Sequence, residues 1–421
     1  MRRTRNVALT IGCLLGGLVL ASCGDDGGTP RVISVPADAP TISQAVQEAK
    51  PGDVVAITAG TYHESVKVDR EGITIRGEDR NTVILDGEHD LANGFLVTAD
   101  NVAIENLTVH SFTQNGVVFN GIEAATDGKG VDKDVVYGAG DAVLSGYRTS
   151  YVTAYNNGLY GIYAFASRDG VIEHTYVSGH PDSGIYIGQC KPCNAVIRNS
   201  IAETNAIGYY GTNASGNVYV IDSVFAKNRL GVAPNSQKME KLAPQEETVV
   251  AGNLVVDNDN PMAPKIAMGF SGGGIAVGGG TRNTILRNRV EGNALMGIGV
   301  VSMNEYLPEN NRIEGNVLAD NGVDLLYAPE GAGDAAGNCF TGNTFEVSTP
   351  EAIETVMSCD ESPTLAEVPD FTVPPGGDGP DYRDVPAPGS QTTMPINAFT
   401  ATGGAGEVPA VDLAAIRVPT R

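Results

Sequence analysis

Seven glycine-hydrophobic dipeptides recur along the chain, at Gly161-Ile162, Gly184-Ile185, Gly208-Tyr209, Gly231-Val232, Gly274-Ile275, Gly297-Ile298 and Gly322-Val323. They are separated by 23, 24, 23, 43, 23 and 25 residues. A second register runs beside them through His174, Asn199, Asp222, Asn253, Asn288, Asn316 and Asn343, each inside a V/I-x-N-x-hydrophobic pattern such as Ile197-Arg198-Asn199-Ser200-Ile201. Two registers that share a period in the low twenties, with short β-branched runs and little helical pattern, point to stacked β coils. A single coil is too thin to bury its own apolar face, so each must pack on its neighbours. The asparagine register is read as structural, its inward amides satisfying one another from rung to rung.

A solenoid grows in one dimension, so 421 residues are compatible with one folded body. The 53 glycines fit many tight turns. The amino terminus carries Arg2, Arg3 and Arg5, then an apolar run over residues 7–20, then Leu20-Ala21-Ser22-Cys23. This resembles the signal and lipobox of bacterial lipoproteins, and the apolar run is short for a membrane span. The resemblance implies removal of residues 1–22, lipidation of Cys23, and a tether over residues 23–31. It places the protein outside the cytoplasm, held to the outer face of the cytoplasmic membrane or the cell envelope. An uncleaved anchor would leave it on the same side. Without residues 1–22 the chain has 24 basic and 50 acidic residues, a net charge of −26. That field repels polyanions, which argues against a nucleic-acid partner, and can hold divalent cations.

Four further cysteines then remain, an even number in an oxidising compartment. Pairing Cys190 with Cys193 would pin a tight loop, and pairing Cys339 with Cys359 would staple the end of the solenoid. Zinc at Cys190-Lys191-Pro192-Cys193 lacks a second ligand pair at the usual spacing, so no metal site is assigned.

Residues 41–49 read as an amphipathic helix, with Ile42, Ala45, Val46 and Ala49 on one face and Pro51-Gly52 stopping it. Such a helix would cap the open strand edges of the first coil. The run from Pro40-Thr41-Ile42 through Pro51-Gly52-Asp53 and Gly60-Thr61-Tyr62-His63-Glu64 to Ile73-Thr74-Ile75-Arg76-Gly77 resembles the opening of the pectate-lyase-like right-handed parallel β-helix proteins. It is similar, within them, to relatives of the copper-site accessory protein of nitrous oxide reductase and to carbohydrate-binding sugar hydrolases. The resemblance covers about residues 32–345. It implies an all-β fold, a single-stranded right-handed parallel β-helix of roughly ten coils, here assigned to residues 32–359. It is a poor guide to activity, since the superfamily includes lyases, epimerases, hydrolases and pure binding proteins.

Three stretches interrupt the repeat. Residues 234–247 and 258–271 are insertions in turns on either side of one coil's asparagine strand. Residues 122–148, with Asp127, Asp132, Asp134 and Asp141 among glycines, are one more irregular coil or a long loop. After Cys359 the pattern stops, and residues 360–421 form a Pro/Gly-rich acidic tail. It is either disordered or extended along the solenoid through Ile396, Phe399, Val411, Leu413 and Ile416.

Strand alternation sends the residue after each inward isoleucine to solvent, which aligns Tyr163, Tyr186 and Tyr210 on three consecutive coils. An outward aromatic row beside loop walls suits a sugar chain, although stacked rings also simply stabilise neighbouring strands. His180 and Asp182 enter the Tyr186 strand, and Gln189 and Lys191 leave it. His180, Asp182 and Lys191 are therefore candidate catalytic residues, and Tyr163, Tyr186, Tyr210 and Gln189 candidate substrate contacts. His180-Pro181-Asp182 is loosely similar to the Asp-Pro-His-Asp of alginate C5-epimerases, but Gly179 stands where the first aspartate would be. A plain turn histidine is the other reading. Uronate lyases of the superfamily hold Ca²⁺ with carboxylates, which makes calcium the one cofactor to consider. The expectation is a monomeric, lipid-anchored protein that binds an acidic or cell-wall polysaccharide and acts on it as a uronate lyase or C5-epimerase. The alternative is a non-catalytic surface scaffold or metallocentre-assembly accessory.

Overall fold

Three parallel sheets wind around one axis in the computed structural model, which describes residues 29–122, 143–265, 271–330, 337–395 and 403–421 apart from 239, 362, 366 and 375. Sheet A has 12 strands, sheet B 10 and sheet C 11. Each coil contributes one strand to each sheet in turn, and every strand pairs in parallel with its counterpart one coil away. This is the right-handed parallel β-helix, with the core as a column inside the coils. The inward row of sheet C shows the column well: Phe95, Val117, Ile162, Ile185, Tyr209, Val232, Ile275, Ile298 and Leu325, all fully buried.

The glycine register has a steric cause. Each glycine lies at the corner where sheet B turns into sheet C, beside a column of buried side chains: Asn157, His180, Asn205, Asn228, Asn258, Asn293 and, partly buried, Asn321. A Cβ on Gly208 would lie 2.5 Å from the Gly231 carbonyl oxygen, 2.9 Å from Phe225 and 3.0 Å from the Asn228 amide. Gly231, Gly274 and Gly297 meet the same crowding from the next coil and the next asparagine. Gly322 does not belong to this register. The residue paired to follow Gly297 is Asp324, ahead of Leu325 opposite Ile298.

The second sequence register also divides. Asn253, Asn288, Asn316 and Asn343 do form an amide ladder, with bonds of 2.8–3.0 Å from each Nδ2 to the next Oδ1. His174, Asn199 and Asp222 instead occupy the preceding turn position, in left-handed backbone with φ of 50°, 49° and 46°. Their side chains are at most half-buried, and the inward members of those coils are Thr175, Ser200 and Ser223. The one-residue offset arises because asparagine serves both positions: its amide completes a ladder inside, and it tolerates φ > 0 outside.

The cap helix spans Ile42–Glu48, with Thr41 as N-cap accepting from the Gln44 N–H and the Glu64 carboxylate accepting from the N–H groups of Ile42 and Ser43. It buries Ile42, Ala45 and Val46. At the other end a short helix, Ile353–Val356, buries Ile353, and with Met357 it closes the last coil under the Cys339–Cys359 disulfide. The Cys190–Cys193 disulfide lies in the interior, 1% and 0% exposed.

The strand Asn115–Asn120 pairs directly with Tyr160–Phe165, and Leu144–Ser150 pairs with both Val102–Glu105 and Ser167–Glu173, so no further coil separates these strands in sheets A and C. Asp127, Asp132, Asp134 and Asp141 lie outside the described residues, as do residues 1–28 with Cys23.

The tail packs on the solenoid at several points, with one short 3-10 turn at Tyr382–Asp384. Arg229, buried, donates to the carbonyls of Gly377 and Asp378; Asn156 donates to Val385 O; Asn106 accepts from Thr393 and Met394. The chain reaches the first coils at Gly403, which donates to Gly52 O, and then returns over sheet A, where Val411, Leu413 and Ile416 pack on Val196, Ile221 and Leu286. Ile396 and Phe399 lie outside the described residues.

Candidate functional site

The outer face of sheet C carries the aromatic row. Tyr163 pairs with Tyr186, and Tyr186 with Tyr210, while Ile162, Ile185 and Tyr209 point into the core. Tyr163 and Tyr186 are stacked with ring centroids 4.9 Å apart, and Tyr186 and Tyr210 meet edge-on at 6.2 Å. Tyr160 and Phe165 extend the group, with centroids 4.6 and 5.6 Å from Tyr163. The signal for Tyr160 was present in the sequence, directly before the repeated Gly161. Because the glycine occupies the corner, Tyr160 leaves on the same outer side as Tyr163, three residues on.

This row faces outward but is not an open floor. Tyr186 is 3% and Tyr210 7% exposed. The inserted turn of residues 234–247 folds back over them: Gln237 donates to the Tyr210 hydroxyl, and the Tyr186 hydroxyl donates to Glu240 Oε1 at 2.5 Å. Beyond Tyr210 the outer face continues as Leu230, Ala233, Ala276 and Met296, and here Phe371 and Val373 of the tail form the opposite wall. Between the walls lies a cavity of about 430 Å³, lined by Tyr210 and apolar side chains together with Asn235, Ser302, Asn304 and Glu330. Its size is that of an ordinary small-ligand site.

Two carboxyl groups border the rings. Asp182 accepts from the Tyr160 hydroxyl at 3.1 Å, and burial pushes its pKa up to about 6. Burial likewise pushes Glu240 up to about 7, against the lowering effect of the Tyr186 hydroxyl, and its second oxygen is buried without a hydrogen-bond partner. Both groups therefore change charge near neutral pH on one face, which is the setting acid–base chemistry uses. Glu240 was not singled out from the sequence; the signal was only that its loop is an insertion beside the tyrosine strands.

The sequence-derived catalytic trio is not assembled, and this corrects that expectation. His180 is fully buried inside the coil, as one rung of the asparagine column: its Nε2 lies 3.2 Å from Asn157 Nδ2 and its Nδ1 2.8 Å from Asn205 Oδ1. Desolvation lowers its pKa to about 4, so it is a neutral structural group. Asp182, two residues on, faces the tyrosines outside. Lys191 lies beyond the far end of the strand Ser183–Cys190, roughly 26 Å along by strand rise, and is ion-paired with Glu246. Gln189 is no open contact either: it is 1% exposed, in left-handed backbone, with neither amide atom hydrogen-bonded. Among the described residues no group of three or more His, Cys, Asp or Glu side chains could hold a metal ion.

The architecture has counterparts among solved structures. A pectate lyase, Pel9A, aligns with TM-score 0.48 at 12% identity, over 90% of this chain and 97% of its own. An alginate lyase from Paenibacillus sp. aligns with TM-score 0.45 at 15% identity, over 76% and 97%. The A-module of a mannuronan C-5 epimerase from Azotobacter vinelandii aligns with TM-score 0.44 at 14% identity, over 80% and 92%. The parallel β-helix itself is set by the three parallel sheets of this chain. No protein-family model matches the sequence, and no curated protein does.

Proposed function

We propose that this protein binds a polysaccharide along the outer face of sheet C, outside the cytoplasm, held to the membrane by lipid on Cys23. The observation that carries the reading is the outward aromatic group of Tyr160, Tyr163, Tyr186 and Tyr210, continued by the cavity between Tyr210 and Phe371. Sugar rings present apolar faces to aromatic planes and hydroxyls to a few polar groups, and this face offers both. Two disulfides support an oxidising compartment. Affinity electrophoresis through gels containing single polysaccharides tests the binding: one of them should retard the protein, and Tyr163→Ala, at the half-exposed end of the row, should reduce the retardation. Retardation unchanged by Tyr163→Ala and by Phe371→Ala would remove this face from the function. Metabolic labelling with a fatty acid, lost in Cys23→Ala, tests the anchor.

A catalytic reading is favoured by Asp182 and Glu240, two carboxyls with raised pKa on the same face. In a lyase or C5-epimerase these two, rather than His180 and Lys191, would move the proton. Product analysis on alginate and polygalacturonate with Ca²⁺ tests that reading, and Glu240→Gln should abolish any turnover found.

A further inference from the structure

We infer that the glycan taken by this face is uncharged, a neutral polysaccharide rather than a polyuronate. The inference rests on the binding reading above and names its substrate class. Recognition of one carboxylate per sugar calls for guanidinium or ammonium groups, or for a divalent cation bridging carboxylates. The described walls of the cavity supply neither. Glu330 is the one acidic or basic residue among those lining it, and Asn235, Ser302 and Asn304 are neutral hydrogen-bonding groups of the kind that read hydroxyls. At the other end of the face the ionisable groups beside the rings are Asp182 and Glu240, again acids.

Many cations of the described solenoid are paired elsewhere, and the one on the outer row of sheet C, Lys67, stands three coils before Tyr163. Arg76 pairs with Glu105, Arg148 and Arg198 with Glu173, Arg289 with Glu291, and Arg312 with Glu314, all on sheets A and B. Arg282 and Lys191 share Glu246 at the turn beyond sheet C. Lys238, whose backbone N–H reaches Asn304 Oδ1 of the cavity wall, has its ammonium 4.0 Å from Glu305. The chain as a whole carries a net charge of −23, which opposes the approach of a polyanion from a distance as well. Apolar ring faces between Tyr210 and Phe371, neutral polar groups at the rim, and Glu330 as the one charged residue lining the described walls fit a sugar chain that has hydroxyls and no charge.

The test uses the mature protein with its tail, in calorimetric titrations against neutral polymers (a xylan, a mannan, a β-1,3-glucan, a β-1,4-glucan) and against alginate and polygalacturonate. Each is measured with and without Ca²⁺ and at low and high NaCl. The expected result is at least tenfold tighter binding of one neutral polymer than of either polyuronate. Its affinity should change less than twofold with salt or calcium and fall at least tenfold in Phe371→Ala. Gly389→Ala, where an added Cβ meets nothing within 4 Å, serves as the control variant and should leave the binding unchanged. Tighter binding of a polyuronate, weakened by salt or dependent on Ca²⁺, would overturn the inference while leaving the glycan-binding reading standing. Binding of neither class would overturn both.

Discussion

Replacing His180 with asparagine separates a structural histidine from a functional one. The column into which His180 is built has asparagine on the preceding coil and on the following ones, so His180→Asn restores the prevailing residue and keeps bonds available to Asn157 and Asn205. The signature is in the acid limb of stability. A histidine whose folded pKa is about 4 against 6.5 when unfolded is held neutral by burial. Its contribution is fully present above pH 6.5 and is lost as pH falls toward 4, where the unfolded chain takes up a proton that the folded chain refuses. The difference is worth about 3 kcal/mol at pH 4. Asp182 and Glu240 act with the opposite sign, since their folded pKa values are raised and their stabilisation is lost as pH rises through about 6 and about 7. Subtracting variant from parent cancels those terms. Urea unfolding followed by far-ultraviolet circular dichroism at pH 7 and pH 4 should therefore show His180→Asn gaining about 3 kcal/mol relative to the parent on acidification. His180→Ala, which strands both neighbours' amides, should lose about 2–5 kcal/mol at pH 7. Equal acid dependence in parent and His180→Asn, or loss of glycan binding with the fold intact, would refute the structural assignment.

Other consequences follow from the same geometry. Gly208→Ala should cost about 2–4 kcal/mol, because its Cβ must displace the next coil's backbone, whereas Gly389→Ala, with nothing within 4 Å, should be neutral in the same denaturation assay. Glu240→Gln should flatten the loss of stability between pH 4.5 and about 7, measured as the midpoint of thermal unfolding across that range, and an unchanged profile would show that the carboxyl is solvated. Replacing Cys339 and Cys359 with serine opens a loop with a sequence separation of 20, and should destabilise the C-terminal coils by about 3 kcal/mol, seen as faster amide exchange over residues 312–357. Arg229→Ala should release the tail segment at Gly377 and Asp378, and limited proteolysis should then cut there while the solenoid remains intact.

The solenoid was legible because its defining constraint is local: a corner with no room for a Cβ forces glycine at Gly161, Gly184, Gly208, Gly231, Gly274 and Gly297 whatever the neighbouring loops do. Strand parity followed from the same register, which is why the outward direction of Tyr163, Tyr186 and Tyr210 could be read in advance. Long-range cover could not be. Nothing in the sequence of residues 234–247 says that Gln237 and Glu240 fold back onto tyrosines one and two coils earlier, and nothing near Phe371 says that it crosses sheet C. His180 misled for a different reason: near an aspartate it reads as acid–base chemistry, while its place in the column shows only once Asn157 and Asn205 are stacked above and below it. The two disulfide pairs were legible because each joins cysteines close in sequence in a chain whose amino terminus resembles an export signal.

Hydrogen–deuterium exchange on the mature protein, with and without the polysaccharide that retards it, tests the site itself most directly. Binding on this face should slow exchange in Ser183–Cys190, Ile207–Ala214 and Leu230–Asn235 and in the tail around Phe371, leaving the strands of sheets A and B unchanged. Slowing confined to sheet A or sheet B, with sheet C exchanging as in the free protein, would contradict the account.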